Sequence, residues 1–439
     1  MDENATKKSN NFEKVFCRLY QPMERYAIMN ILIICYDGEL RGRGIKLLGE
    51  MDMKGNTRNR NLFWRRKPYD IENTEQLFLR RIKENMLFHF RSCESYQRLV
   101  RALGWSEEKI AEVSAIEELP ILPTLYFKHH RLDSLPEKKM LTTATSSGTS
   151  GNKSVIGYDF KSLWRALGMV LGIAKKHKLL SIRPCHYIIL GYEHRSLLWG
   201  NRKVEEKAVA KTAYGFTFFA PALSRTYALK KVDGEYKLNL EEIKEKLIRF
   251  SKGRTPVRIM GFPFHAFWLL NEMKEEGIRC PLPKGSMMAF GGGWKEYYTQ
   301  RADKETMYEL VEEILNIPES RCREFFGAVE HPILYCDCKN HHFHVPIYAR
   351  VIIRDADTLA PVKNGEAGLV NLLTPMLQSA PALSIMTDDL GILHDASECG
   401  CGIDAPFLEI LGRVGMTDIT TCAAGAEKLS MDILKEVAK

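Results

Sequence analysis

The chain has 439 residues, 45% of them hydrophobic and 27% charged, with a formal net charge of +8. This is the balance of a globular protein large enough for two or three packed lobes, and it excludes an intrinsically disordered chain. The positive charge is spread without a long Lys/Arg run, which argues against nucleic acid as a partner, and no apolar stretch approaches the roughly 20 residues that span a bilayer.

Residues 1–65 mix a polar start, a short apolar run near Ala27–Tyr36 and a basic stretch, Arg41–Arg66. The apolar run lacks the lead-in and cleavage site of a signal peptide, so these residues are expected to be a leader, disordered or preceding the true start at Met51 or Met53. Eleven cysteines are too few for a disulfide scaffold in so long a chain, and a cytoplasmic location is expected. Helices are predicted at Glu75–Cys93, Ser95–Leu103 and, capped by Ser106, Glu107–Val113. Leu119–Phe127 is punctuated by prolines and reads as extended.

From about Lys139 strands alternate with helices. Met140–Thr145 and Val155–Tyr158 read as strands flanking a loop of small residues. Asp159 caps a helix, Phe160–Leu179, whose apolar residues recur at helical spacing. Strands follow at His186–Gly191, Val257–Met260, Gly285–Phe290 and Arg323–Phe326, with helices at Pro263–Glu276 and Lys304–Leu315. From His342 short β runs dominate: His344–Arg354, Gly368–Leu373 and Phe407–Leu411. The fold class is therefore α/β, with mixed sheets flanked by helices and a small β-rich lobe.

The loop reads Thr145-Ser146-Ser147-Gly148-Thr149-Ser150-Gly151-Asn152-Lys153-Ser154. Its glycines let backbone N–H groups close on an anion, its hydroxyls add donors, and Lys153 adds a positive charge. It lacks the GxxxxGK[ST] order of a Walker loop, and a plain surface linker has the same composition. Downstream stand Gly291-Gly292-Gly293, Phe326-Gly327-Ala328-Val329-Glu330, Thr387-Asp388-Asp389 and Gly412-Arg413.

In this order the segments resemble the adenylate-forming superfamily of acyl-CoA synthetases, luciferase-type enzymes and adenylation domains. The resemblance implies that Ser146, Ser147, Gly148, Thr149, Ser150, Gly151 and Lys153 bind the phosphates of ATP. It further implies that Gly291, Gly292 and Gly293 line the adenine pocket, that Phe326 and Gly327 lead to Glu330 as the Mg2+-binding glutamate, that Asp389 holds the ribose and that Arg413 reaches the nucleotide. Phe262–Leu270 resembles the helix bordering the acyl pocket, with Phe262 and His265 facing it. These types suit the reaction: attack of a carboxylate on the α-phosphate needs charge neutralised and reactants aligned.

Cys338 and His344 are separated by five residues, and Cys399-Gly400-Cys401 follows. Such spacing suits a closed tetrahedral Zn2+ site of structural role, with Cys336, His341 and His342 as competing ligands and buried free cysteines as the plain alternative. Similar ligands occur in the phenylacetate-CoA-ligase-like branch of the superfamily.

Within that branch the chain most resembles LuxE-type acyl-protein synthetases. The residues that carry this are Leu119-Pro120-Ile121-Leu122-Pro123 with Phe127-Lys128, then Glu330-His331-Pro332 and His344-Val345-Pro346, and the early end after Gly412-Arg413, where other members continue into a lid carrying a catalytic lysine. The expected organisation is a leader at 1–65, an acyl-protein synthetase domain at 66–411 and a short remnant at 412–439 in place of the truncated lid. The resemblance implies activation of a fatty or other carboxylic acid, with Cys422 then capturing the acyl group as a thioester; Lys428 is a weaker candidate to stand in for the lid lysine. It implies as cofactors ATP, Mg2+ and structural Zn2+, and as partner an acyl-accepting protein such as a reductase or carrier. The rival readings are a phenylacetate-type CoA ligase and an inactive zinc-stapled binding protein.

Overall fold

The structure, a computed structural model, describes residues 61–146, 153–194, 208–233, 235–293 and 302–413. Of the predicted features, the leader up to residue 60, loop residues 147–152, and Cys422 and Lys428 lie outside them. Among the described residues no helix is long and apolar enough to cross a membrane.

In chain order, helices α1 (Glu75–Ser92), α2 (Glu94–Ala102) and α3 (Glu107–Glu112) come first. Ser106 caps α3 by accepting from the Lys109 amide at 3.2 Å. Strand β1 (Leu122–Pro123) leads directly into α4 (Thr124–His129). The proline-rich stretch is thus extended only as far as Pro123, which stands as the residue before the helix, where its fixed φ is harmless. Then come β2 (Thr142–Thr145), β3 (Val155–Tyr158) and α5 (Phe160–Lys176), the last capped by the Asp159 carboxylate through the amides of Lys161 and Ser162. The following stretch holds β4 (Cys185–Tyr192), α6 (Ala208–Phe216), β5 (Ala222–Val232), β6 (Glu235–Leu238), α7 (Leu240–Ser251), β7 (Val257–Gly261), α8 (Pro263–Glu275), β8 (Met287–Gly291) and α9 (Lys304–Leu315). The chain continues through β9 (Cys322–Phe326), β10 (Tyr335–Cys336), β11 (Phe343–His344), β12 (Arg350–Arg354), β13 (Ala367–Leu373), β14 (Ser384–His394), α10 (Ala396–Cys399) and β15 (Phe407–Arg413).

The chain divides into two compact units. Of the described residues, one unit holds 174–194 and 209–322, and the other holds 61–173, 208 and 323–413. The first is a parallel-sheet unit with strand order β8-β7-β4-β5-β6, parallel except for the β5–β6 hairpin. The centre of β4, Tyr187–Leu190, is a continuous buried apolar run because a parallel strand is covered on both faces. Its core joins Ile188, Leu190, Ile259 and Met288 to the inner faces of α7, α8 and α9. Helix α9 starts on Asp303, which accepts the Thr306 amide at 2.7 Å, and stops at Asn316 in the left-handed region.

The second is a mixed-sheet unit. Its main sheet runs β11-β15-β14-β13-β12, antiparallel throughout, and β1 adds to β14 in parallel. The predicted run His344–Arg354 is split in two by Pro346, which has no amide to give a ladder. β2 and β3 form a separate antiparallel hairpin, and β9 pairs with β10. Asn85, His89 and Arg165 hold the backbone carbonyls of Pro375, Met376 and Leu377, which ties helices α1 and α5 to the buried segment before β14.

Candidate active site

The hairpin β2–β3 presents the small-residue loop at its tip. Thr145 and Val155 are its last paired residues. Beyond them Ser146 donates its amide to the Ser154 carbonyl at 3.1 Å and accepts the Ser154 amide on its hydroxyl at 3.0 Å. This double clasp fixes both ends of the loop. Lys153, just inside the clasp, is exposed.

Glu330 stands beside Ser154. It sits in a tight turn after β9, closed by the His331 amide on the Ala328 carbonyl at 3.2 Å, and is only 4% exposed. Burial pushes its carboxyl above the ordinary value; the Ser154 side chain and the Lys128 ammonium oppose this, and Asp388 adds to it. Glu330 in turn raises the Tyr158 phenol of β3, which burial already raises. His331 is fully buried, its imidazole pushed down to about 3 by burial, and meets the Tyr335 hydroxyl at 3.1 Å. It is neutral at physiological pH and fixes the turn instead of exchanging protons. Phe326, at the end of β9, packs on Tyr335 and Phe343. Gly327 passes so close to the Ile333 carbonyl that an added Cβ would lie 3.0 Å from it.

The parallel pairing of β1 with β14 brings α4 to the Thr387-Asp388-Asp389 segment. Thr124 donates to Asp388 Oδ1 at 3.3 Å and Lys128 Nζ lies 3.6 Å from Asp388 Oδ2. Asp389 follows, its amide on the Thr387 hydroxyl at 3.2 Å, directly opposite Arg413 on β15. The mixed-sheet unit therefore gathers the ends of the loop, Glu330, Asp389 and the Arg413 backbone in one neighbourhood. Sequence reading missed Asp388, Thr124 and Lys128 as members. Lys128 was visible only as part of a family-like segment, and Asp388 only as the middle residue of a motif read for its flanks.

Phe262, His265 and Gly291–Gly293 belong to the parallel-sheet unit. They lie at the carboxyl ends of β7 and β8, the edge where open parallel sheets bind ligands. His265 is buried, with Nδ1 3.2 Å from the Leu190 carbonyl and its ring packed on Phe262, Phe264 and Trp268. Gly292 has φ +82°, and a Cβ there would lie 2.7 Å from the Phe262 ring.

Cys338, His344, Cys399 and Cys401 bring their ligand atoms within 4.8 Å of one another. His344 Nε2 is 3.2 Å from the Cys399 sulfur and 3.1 Å from that of Cys401; Cys338 and Cys399 sulfurs are 3.6 Å apart. A tetrahedral zinc with Zn–S near 2.3 Å places its sulfurs about 3.8 Å apart, so the spacing fits. The donor set fits too. His344 Nδ1 donates to the Ala405 carbonyl at 2.6 Å, which leaves Nε2 as the free lone pair facing the sulfurs. Amides of Asn340 and Ile403 point at the Cys338 and Cys401 sulfurs at 3.3 Å. Burial first, and then the neighbouring Cys401 and Cys338 thiols, push the Cys399 thiol up to about 12, and a bound divalent cation would make a thiolate tenable there. Of the competing residues, His341 is bound to Asp337 at 2.6 Å, Cys336 faces the Asp337 carbonyl, and His342 Nδ1 lies 3.2 Å from the Cys399 sulfur.

Comparison with known proteins places these features in a family. The profile of the family described as "Acyl-protein synthetase, LuxE" matches residues 57–430. The long-chain-fatty-acid–luciferin-component ligase of Aliivibrio fischeri is 25% identical over 351 residues, 77% of this chain and 85% of that protein. Its counterpart from Vibrio harveyi is 24% identical over 360 residues, 81% of this chain and 88% of that protein. Among solved structures, 2-hydroxyisobutyryl-CoA ligase in an open conformation with 2-HIB-AMP and CoA superposes with a TM-score of 0.56 at 15% identity, covering 80% of this chain and 72% of that one. The same ligase in its postadenylation state with R3-HIB-AMP gives 0.57 at 15% identity, covering 80% and 70%. At that identity the likeness is one of fold, and it is the fold of an adenylate-forming ligase.

Proposed function

The chain belongs to the LuxE acyl-protein synthetase family, and from that premise we propose that it activates a fatty acid with ATP and passes the acyl group to the thiol of Cys422. The observation that carries this reading is the meeting, within the mixed-sheet unit, of the clasped loop ends, Glu330, and the Asp389 position opposite Arg413. The curated relatives, named as long-chain-fatty-acid ligases, support an aliphatic chain over an aromatic acid.

In the first step a carboxylate oxygen attacks the α-phosphorus of ATP; the P–O bond to the β-phosphate breaks, pyrophosphate leaves and an acyl-adenylate forms. Donors of the 146–154 loop and Lys153 cradle the phosphates, Asp389 takes the ribose hydroxyls and Arg413 the nucleotide. Gly291–Gly293 border the adenine, and Phe262 and His265 border the acyl chain. Glu330 would hold Mg2+, which neutralises charge on the phosphates when bound. In the second step the Cys422 thiolate attacks the acyl carbonyl and AMP leaves with the bonding pair, giving a thioester. Residues 66–411 make up the activating body and 412–439 carry the acceptor. Zinc on Cys338, His344, Cys399 and Cys401 staples β-sheet loops and takes no part in the chemistry, because four protein ligands leave no open position. The thioester suits onward transfer to an acyl-accepting protein such as a reductase or carrier, and cysteines without disulfide partners among the described residues suit the cytoplasm.

The test is carboxylate-dependent exchange of labelled pyrophosphate into ATP across short, long and aromatic acids, followed by retention of labelled acid on the protein. Exchange with fatty acids, and label lost in Cys422→Ser, is expected. Soluble acyl-CoA made at full rate by that variant would assign a CoA ligase. Absence of exchange with every acid would mark the chain as a zinc-stapled binding protein.

A further inference from the structure

Lys128 and Asp388 form an ion pair that stability does not explain. The side chains are 21% and 40% exposed and 3.6 Å apart, and such surface pairs contribute only about 0–1 kcal/mol. Yet the pair is built with care. One turn of α4 supplies Thr124 to Asp388 Oδ1 and Lys128 to Oδ2, so both carboxylate oxygens are held by the same short helix. That helix is carried to its place by β1, whose parallel ladder on β14 registers Pro123 with Met386, two residues before Asp388. Lys128 is also the cation whose charge reaches the buried Glu330, beside the Ser154 end of the clasped loop. An ammonium on a four-carbon stem is a mobile point charge, suited to leaving one anion for another.

We propose that Lys128 binds the polyphosphate of the nucleotide, and that Asp388 is the positioning residue that keeps its ammonium at the site until the phosphate takes it. The proposal rests on the adenylation reading above and adds two residues to it. No covalent step is involved: the ammonium exchanges a carboxylate partner for phosphate oxygens.

The full chain is titrated by calorimetry with MgATP, magnesium pyrophosphate and AMP, as wild type, Lys128→Met, Lys128→Arg, Asp388→Asn and the Met/Asn double variant. Lys128→Met is expected to weaken MgATP and pyrophosphate about tenfold or more, the size of one hydrogen bond to a charged group, while AMP changes less than about twofold. Lys128→Arg recovers most of the loss. Asp388→Asn weakens MgATP severalfold in the wild type and adds nothing in the Lys128→Met background. Melting temperatures accompany each titration, and a variant that melts early is replaced by Lys128→Gln or Asp388→Ser. Unchanged MgATP affinity in Lys128→Met, or an Asp388→Asn loss that persists undiminished in the double variant, overturns the proposal. Pyrophosphate exchange by the same proteins separates the two claims. A wild type that binds MgATP through Lys128 but exchanges with no acid removes the adenylation reading and leaves this one. Exchange and affinity intact in Lys128→Met removes this one and leaves the other.

Discussion

Asp389 and Arg413 face each other across β14 and β15 as paired residues of one antiparallel ladder. Two motifs more than twenty residues apart in the chain thus become a single local feature, and the ladder fixes their spacing. If Asp389 takes the ribose hydroxyls, Asp389→Ala raises the KM for ATP about tenfold or more, with the KM for the acid unchanged. It also erases discrimination between ATP and its 2′- and 3′-deoxy forms. Steady-state exchange rates with the three nucleotides decide the matter; a variant that still rejects the deoxy forms refutes the role.

Glu330 is a buried carboxylate whose carboxyl burial raises. The sign follows from linkage: between the unfolded value and the raised folded one, the native state binds more protons, so stability falls as pH rises through that window. Above the window the full penalty of a buried charge stands. Glu330→Gln keeps the shape and removes the charge. It is expected to melt at a higher temperature than the wild type at neutral pH, with the gap closing as pH drops below the ordinary carboxylate value of 4.5. The same variant loses adenylation, because a neutral amide cannot hold Mg2+ against the phosphates. A lower melting temperature at neutral pH would show that the charge is needed for the fold, and undiminished exchange would remove Glu330 from the metal site.

Helix α9 was legible to the residue, because Asp303 caps it and its apolar positions recur at helical spacing. The hairpin ends around the loop were legible because β-branched residues flank it. Strand β14, eleven residues long, was not, because Asp388-Asp389 interrupts the alternation that marks a strand. β5 escaped for a similar reason: its arginine and lysines break the apolar pattern of its parallel neighbours. That Cys338, His344, Cys399 and Cys401 would meet was legible because thiolates and imidazole at such spacings have few other uses. Lys128 and Asp388 were not, because their meeting is a product of the β1–β14 pairing between segments far apart in sequence. Local spacing reports helices, turns and metal knuckles; it is blind to which remote strand a short segment will join.

Gly292 follows β8 with φ +82°, and a Cβ there would lie 2.7 Å from the Phe262 ring and 3.3 Å from Val209. Gly292→Ala therefore combines left-handed strain with a clash at the sheet edge and should cost roughly 1–3 kcal/mol. Phe262→Leu in the same chain removes the clash but not the strain, so it should restore part of the loss. Denaturant melts of the two single variants and the pair test this. Full additivity would mean that the ring and the glycine do not meet.

The metal site makes the last prediction. His342 stacks on Phe407 at 4.3 Å and aims Nδ1 at the Cys399 sulfur at 3.2 Å, as close as His344 Nε2. Yet His342 is outside the set of four whose ligand atoms all lie within 4.8 Å. It is positioned to donate to a coordinated thiolate, not to replace one. Purified protein should hold about one zinc per chain in a closed four-ligand site, with X-ray absorption fitting three sulfurs and one nitrogen. Cys399→Ser should lose the metal and melt at a markedly lower temperature, since three donors do not close the site. His342→Ala should keep the stoichiometry but release zinc to a chelator more readily, by about 10–100-fold in affinity, because the sulfur loses its donor. Two nitrogens and two sulfurs in the absorption fit, or zinc lost outright from His342→Ala, would make His342 a ligand and overturn this assignment.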